Sequence, residues 1–230
     1  MALLLNIDTA TEQAGVCLSN GEQILAIRET TDQKNHASFI QPAIQRVMAD
    51  AGYKLQDIGA IAITAGPGSY TGLRVGLSTA KGLCYALNKP LIMISTLEVM
   101  AFASVIENQK NTVGENDHSL FCPMIDARRM EVFTAIYDPK LNIVMAPTAM
   151  ILDETSFFDV LKNNRVVFSG SGSTKANIIK HPNAVFATKS YNACHLSVLA
   201  NKAFGAGLFA DLAYSEPFYL KEFYKHVKKN

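Results

Sequence analysis

Apolar and polar positions change their period several times along the chain. Residues 3–8 (LLLNID) are an apolar run that ends in Asp8, and 13–19 and 22–29 carry two further apolar stretches. These predict three strands, the last two joined at Asn20-Gly21, a dipeptide suited to a two-residue hairpin with positive φ at both central residues. In NHASFIQPAIQRVMADAG the apolar residues fall at Phe39, Ile40, Ala43, Ile44 and Val47, a helical spacing that stops at Gly52. A strand over 58–64, a glycine loop, a helix over 71–87, a short strand over 91–95 and a helix over 96–106 follow.

Residues 108–118 (NQKNTVGENDH) then hold one valine among polar and turn-forming residues, the clearest boundary in the chain. Beyond it the opening repeats. LFCPMIDARRMEVFTAIYDPKLNIVMAPT is again an apolar run ending in Ile-Asp, a strand, a turn and a third strand. Ile7-Asp8 lines up with Ile125-Asp126, and Asn20-Gly21 with Asp138-Pro139. A helix over 153–163, the strand RVVFSG and a small-residue loop GSGS at 170–173 follow. The expected organisation is an N-terminal lobe over 1–107, a linker over 108–118 on which the lobes hinge, and a C-terminal lobe over 119–230. Matching strand ends would bring Asp8 and Asp126 face to face across a cleft.

Composition narrows the function classes. The 230 residues include 21 basic and 20 acidic side chains, a net charge of +1, which argues against a chain that grips nucleic acid alone. The one compact basic stretch, KEFYKHVKKN at the C-terminus, reads as a solvated tail. Cys17, Cys84, Cys122 and Cys194 stand singly and read as buried free thiols in a reducing compartment. The start MALLLNIDTA lacks the basic opening of a signal peptide, and no apolar run is long enough for a membrane span. A soluble, cytoplasmic protein is expected.

The stretch IAITAGPGSYTGLRVGLSTAKGL, residues 61–83, places Gly66, Gly68, Gly72 and Gly76 within eleven residues between a strand and a helix. Such junctions often hold phosphate. Here the spacing is G-x-G-x-x-x-G, after a meander rather than a first strand, with Ile92 where a dinucleotide fold has its acid. Lys81 lies too deep in the helix for a Walker loop.

The two lobes with a strand ending in Asp resemble the actin–sugar kinase–Hsp70 (RNase H-like) superfamily, each lobe an α/β mixed sheet flanked by helices. NIDTAT, AGPGSYTGLRVGLSTAKGL, IDARRMEVFTAIY and EPFYLK resemble the TsaB (YeaZ) family over nearly the whole chain. That resemblance implies a non-catalytic relative of TsaD in placing threonylcarbamoyl on the adenosine beside the anticodon of tRNA. It also implies a TsaD-like catalytic subunit and a TsaE-like ATPase as partners, tRNA met through the complex, and a homodimer when alone. The alternative is a stand-alone ATP-dependent kinase or carbamoyltransferase of the same fold.

The chemistry of the matching positions agrees with a lost active site, so no catalytic residue is assigned. Catalytic relatives bind metal through H-x-x-x-H, but four residues after His36 stands Ile40, so no metal is expected and His36 reads as a helix-start or surface residue. The superfamily's phosphate turn, D-x-G-[ST], is here Asp8-Thr9-Ala10-Thr11, and Ala10 puts a Cβ where open backbone is wanted. No cofactor is assigned beyond a weak ATP or ADP site using Asp8, Thr9, Thr11, Gly170 and Gly172. The label glycoprotease also attaches to TsaB-like proteins, yet no G-x-S-x-G or H-E-x-x-H occurs, and Ser69 reads as a loop hydroxyl or helix cap.

Gly72, Gly76 and Ala80 recur every four residues, a bare stripe whose interior glycines each cost about 0.5–1 kcal/mol against alanine. Close backbone packing would offset that cost, either on the chain's own sheet and first helix or beside a face that meets another chain. The resemblance favours the second in part. The expected partner surface is Leu73, Val75, Gly76, Leu77, Ala80 and Cys84, with Phe39 and Ile40 of the preceding helix.

Overall fold

The computed structural model describes residues 2–32, 35–111, 119–187 and 191–221. The first half is β1 (Leu3–Asp8), β2 (Ala14–Asn20), β3 (Gln23–Thr30), α1 (His36–Ala51), β4 (Ala60–Thr64), α2 (Tyr70–Leu87), β5 (Leu91–Ile94) and α3 (Thr96–Asn111). The second half is β6 (Leu120–Asp126), β7 (Glu131–Tyr137), β8 (Ile143–Ile151), α4 (Phe158–Leu161), β9 (Val166–Ser169), a 3-10 helix over Ser171–Ile178, β10 (Ala184–Phe186) and α5 (Ala193–Gly205). Each half builds one five-stranded sheet, ordered β3-β2-β1-β4-β5 and β8-β7-β6-β9-β10. In both, the first three strands are an antiparallel meander and the last two join its first strand in parallel. This duplicated mixed sheet is the two-lobed α/β order expected from the sequence.

Alternation along β1 explains the layering. Leu3, Leu5 and Ile7 pack with Val16 and Leu18 against Ile40, Ile44 and Val47 of α1 and Leu77, Ala80 and Cys84 of α2. Leu4, on the opposite face, meets Ala60, Ala62 and Ile92 with Ala200 and Ala203 of α5. Helix α3 does the converse, laying Leu97, Met100 and Ala101 on Phe121, Ile125 and Val167 of the second sheet. Thus α3 and α5 lie between the two sheets, each packed on the sheet of the other half. The outer face of the second sheet is covered by Leu161, Ala176 and Ile179.

Three boundaries differ from expectation. Asn20 is still paired with Gln23, so the hairpin turn is Gly21-Glu22 and only Gly21 takes positive φ. The helix expected over 153–163 shrinks to Phe158–Leu161, because the Asp153 carboxylate ties back the N–H and hydroxyl of Thr155, and because Phe157 takes φ 63°. Helix α3 runs on to Asn111, since nothing in NQKN breaks a helix; the rest of the segment read as a linker, 112–118, lies outside the described residues.

After α5 the chain returns across the first lobe. Ala210 N–H donates to the Leu91 carbonyl, Lys81 donates to the carbonyls of Ala213 and Ser215, and Phe218 N–H donates to the Ala65 carbonyl. Lys221 then reaches Glu131 of the second lobe at 2.5 Å. Residues 222–230, most of the expected solvated tail, lie outside the described residues. Among the described residues no helix is long and apolar enough to cross a membrane.

Candidate functional site

The end of β1 and the start of α2 form one interlocked unit. Asp8 Oδ1 accepts hydrogen bonds from Ala10 N–H at 3.0 Å and from Thr64 Oγ1 at 2.8 Å. Thr9 Oγ1 donates to the Gly72 carbonyl at 2.7 Å, and Ser69 N–H donates to the Ala10 carbonyl at 2.6 Å. Ser69 caps α2, its Oγ accepting Gly72 N–H at 3.3 Å, as read from the sequence.

Three of the four glycines, Gly68, Gly72 and Gly76, are explained by this contact. A Cβ on Gly68 would overlap the Ala10 carbonyl, one on Gly72 the Thr9 carbonyl, and one on Gly76 the Thr9 hydroxyl. The loop therefore holds the chain's own β1–β2 turn. The Ser69 N–H and the bare surface of Gly68 and Gly72 meet carbonyl oxygens of residues 9 and 10, which would repel a phosphate in the same place.

The expected partner surface changes accordingly. Ile40, Leu73, Gly76, Leu77, Ala80 and Cys84 are all buried in the chain's own core, and Phe39 and Val75 are half-buried against it. A stripe that contacts Thr9 and Ile63 cannot meet another chain as well. The exposed side of α2 is instead Thr71, Arg74, Ser78, Gly82 and Tyr85, the last 84% exposed. Of the two alternatives read for the bare stripe, it takes the first, packing on the chain's own β1 end and sheet, and the side chains beside it that were read as partner-facing are turned inward as well.

Two adjoining cavities open between the lobes. One, of about 560 Å³, is lined by Thr11, Glu12 and Gln13 on one side and Gly170, Ser171, Ser173 and Thr174 on the other, with Met100, Phe186 and Tyr191. The second, about 380 Å³, lies between residues Gly68–Thr71 and Asp126–Arg128. Of the five residues expected to hold a nucleotide, Thr11 and Gly170 line the larger cavity. Asp8 and Thr9 are buried beneath the β1–β2 turn, and Gly172 is packed against Val132 and Met124. Among the lining residues that sequence reading missed, Tyr191 ties the two lobes together. Its hydroxyl lies 3.1 Å from Thr11 Oγ1 across 180 residues of chain, and no local pattern marks it.

The two matching aspartates have opposite environments, although the turns that follow them, Ala10–Glu12 and Ala127–Arg128, line the same cavity. Asp126 lines the cleft, paired with Lys175 at 2.6 Å and accepting Arg128 N–H. Desolvation pushes its carboxyl up, but the Lys175 ammonium and the Arg128 N–H outweigh that and hold it below the usual carboxylate range. Asp8 is 2% exposed. Burial drives its carboxyl above the usual range despite the hydrogen bonds from Ala10, Thr64 and Tyr191 and the charge of His36. His36 itself is buried rather than at the surface, its Nε2 lying 3.2 Å from the Glu12 carbonyl. Among the described residues no three His, Cys, Asp or Glu side chains gather as metal ligands.

Comparison with known proteins adds to this geometry. The TsaD family model, described as tRNA N6-adenosine threonylcarbamoyltransferase, matches residues 23–227. The chain is 30% identical over 177 residues to a Bacillus subtilis protein named tRNA threonylcarbamoyladenosine biosynthesis protein TsaB, covering 73% of this chain and 70% of that one. It is 37% identical over 139 residues to the Escherichia coli protein of the same name, covering 60% of this chain and just over half, 56%, of the relative. A solved Pseudomonas aeruginosa structure with similarity to the peptidase YeaZ shares the fold, with a TM-score of 0.83 at 24% identity, covering 96% of this chain and 100% of that one.

Proposed function

The chain belongs to the TsaB family of tRNA threonylcarbamoyladenosine biosynthesis proteins, and we propose that within that biosynthesis it is a non-catalytic subunit. In this reading it pairs with a TsaD-like catalytic subunit, works alongside a TsaE-like ATPase, and meets tRNA only through the complex. Alone it forms a homodimer through the surface that TsaD would otherwise occupy. The family's part in making the modified adenosine supports the pathway; the structure of the β1–β2 turn supports the division of labour.

The interlock of Asp8, Thr9 and Ala10 with the glycine loop carries the reading. Phosphoryl or carbamoyl transfer needs backbone N–H groups free to meet an anion and a solvated carboxylate to orient a cation or water. Here Ser69 N–H is taken by the Ala10 carbonyl, and Asp8 is buried with Oδ1 accepting from both Ala10 and Thr64. The residues at this turn do not fit a triphosphate. Weak nucleotide binding is therefore assigned to the 560 Å³ cavity beside it, where Thr11, Ser171, Ser173 and Thr174 offer hydroxyls.

The partner surface follows from what α1 and α2 leave outside. Gln41, Gln45 and Arg46 of α1 and Arg74, Ser78 and Tyr85 of α2 are exposed. Two helices of this length present about the area of a standard interface, roughly 800 Å² per partner. Reconstitution with TsaD- and TsaE-like proteins tests the proposal. Threonylcarbamoyl should enter tRNA only when this chain is added, and the chain alone should hydrolyse no ATP above background. Turnover by the chain alone would favour the kinase or carbamoyltransferase reading instead.

A further inference from the structure

The first turn of α5 lies directly on β2. Gly15 and Cys17 are two residues apart and so share one face of that strand, and a Cβ on Gly15 would stand 3.1 Å from the Cβ of Ala193. Cys17 is paired with Asn6 of β1, on the face of Leu4 that α5 covers, so the next residue, Cys194, lies beside it and each thiol perturbs the ionisation of the other. Cys17 is fully buried and Cys194 half-buried, so Cys194 is the member of the pair nearer to solvent. The other two cysteines are buried elsewhere, Cys122 against Thr134 Oγ1 at 3.2 Å and Cys84 in the core beneath α2.

We propose that Cys17 and Cys194 are a redox pair, which a peroxide closes into an intrachain disulfide that fixes the start of α5 to the first sheet. The roles of the two sulfurs follow from their surroundings. Cys194 is the second residue of α5, where the helix N-terminus favours a thiolate. The neighbouring Cys17 thiol holds it below the usual thiol range, against burial and the nearby Glu29 charge. Cys17, facing that sulfur and buried, is driven up and keeps its proton.

The chemistry balances in two steps. The Cys194 thiolate attacks one oxygen of hydrogen peroxide, the O–O bond breaks, and the departing hydroxide takes the proton that Cys194 had released, giving water and a sulfenic acid. The Cys17 sulfur then attacks the sulfenic sulfur, the S–O bond breaks, and the leaving hydroxide takes the Cys17 proton as a second water. Two thiols lose two electrons and the peroxide gains them. The link also bears on the cleft, because Tyr191, three residues before Cys194, bonds Thr11 from across it.

The test is to treat the reduced protein with a small excess of hydrogen peroxide and digest it without reductant. A Cys17–Cys194 peptide pair two hydrogens lighter than the thiols, reversed by dithiothreitol, is expected, with Cys84 and Cys122 alkylated only after unfolding. The oxidised protein should melt roughly 5–10 °C above the reduced form. In Cys17→Ser, Cys194 should be trapped as a sulfenic acid that reacts with dimedone. Oxidation of folded wild type that leaves Cys194 unlinked to Cys17, a link that does not raise the melting temperature, or no dimedone adduct in Cys17→Ser would overturn the proposal.

Discussion

Thr9 and Gly72 hold each other in two ways. The Thr9 hydroxyl donates to the Gly72 carbonyl at 2.7 Å, and the Thr9 carbonyl fills the space that a Cβ on Gly72 would need. A loop that looks built for phosphate thus receives a backbone turn of its own chain.

That relationship separates the glycines of α2 by what they touch. Gly72→Ala should destabilise the protein by about 2–4 kcal/mol, because the atom in its way is backbone and cannot rotate aside. Gly82, on the exposed side with nothing within 4 Å of its Cβ position, should behave oppositely. Gly82→Ala should stabilise by about 0.5–1 kcal/mol, the ordinary helix preference for alanine. Urea denaturation of both variants checks the pair, and equal effects would remove the distinction.

For assembly, the outward face of α2 should matter and the buried stripe should not. Tyr85→Asp, at a side chain 84% exposed, should leave the melting temperature within about 2 °C of the parent while weakening TsaD binding at least roughly tenfold. Ala80→Leu, at a position with no exposure, should instead lower the melting temperature. Titration calorimetry with a TsaD-like partner separates the two. Unchanged affinity in folded Tyr85→Asp would move the interface elsewhere.

Asp8 sets a pH dependence whose sign follows from its burial. Its folded-state pKa is raised, so its contribution to stability is fully present below the unfolded value near 3.8 and is lost as the pH rises through the raised folded value. Asp8→Asn removes that loss, since an amide pays no penalty for a buried charge and its oxygen can still accept from Ala10 and Thr64. Melting temperature against pH should therefore fall less for Asp8→Asn than for wild type on going from pH 4 upward through that window. A steeper fall in the variant would mean that Asp8 is stabilised as an anion.

What was legible in the sequence divides by range. β1, β4 and α2 were readable to within two residues because an apolar run ending in Asp8 or Thr64, and a helical period ending near Leu87, are local signals. The bare stripe at Gly72 and Gly76 was equally legible, but periodicity says which face is empty and not what fills it; Thr9 does, from 63 residues away. Asp8 lay at a recognisable strand end, yet its burial depends on Thr64 and on Tyr191, which approaches from the second half of the chain. The exchange of α3 and α5 between the sheets was not legible for the same reason, since an amphipathic pattern is silent about which sheet it will cover.

The most direct measurement is the initial rate of threonylcarbamoyl transfer to tRNA in the reconstituted system, with wild type replaced by Asp8→Asn. Once the variant is shown to fold and to bind the TsaD-like subunit, the expected rate is that of wild type, because in the proposed reading the buried Asp8 carboxyl is structural and takes no part in the transfer. A fall of roughly a hundredfold or more in such an assembled complex, the size expected on losing a group that works in the reaction, would contradict it.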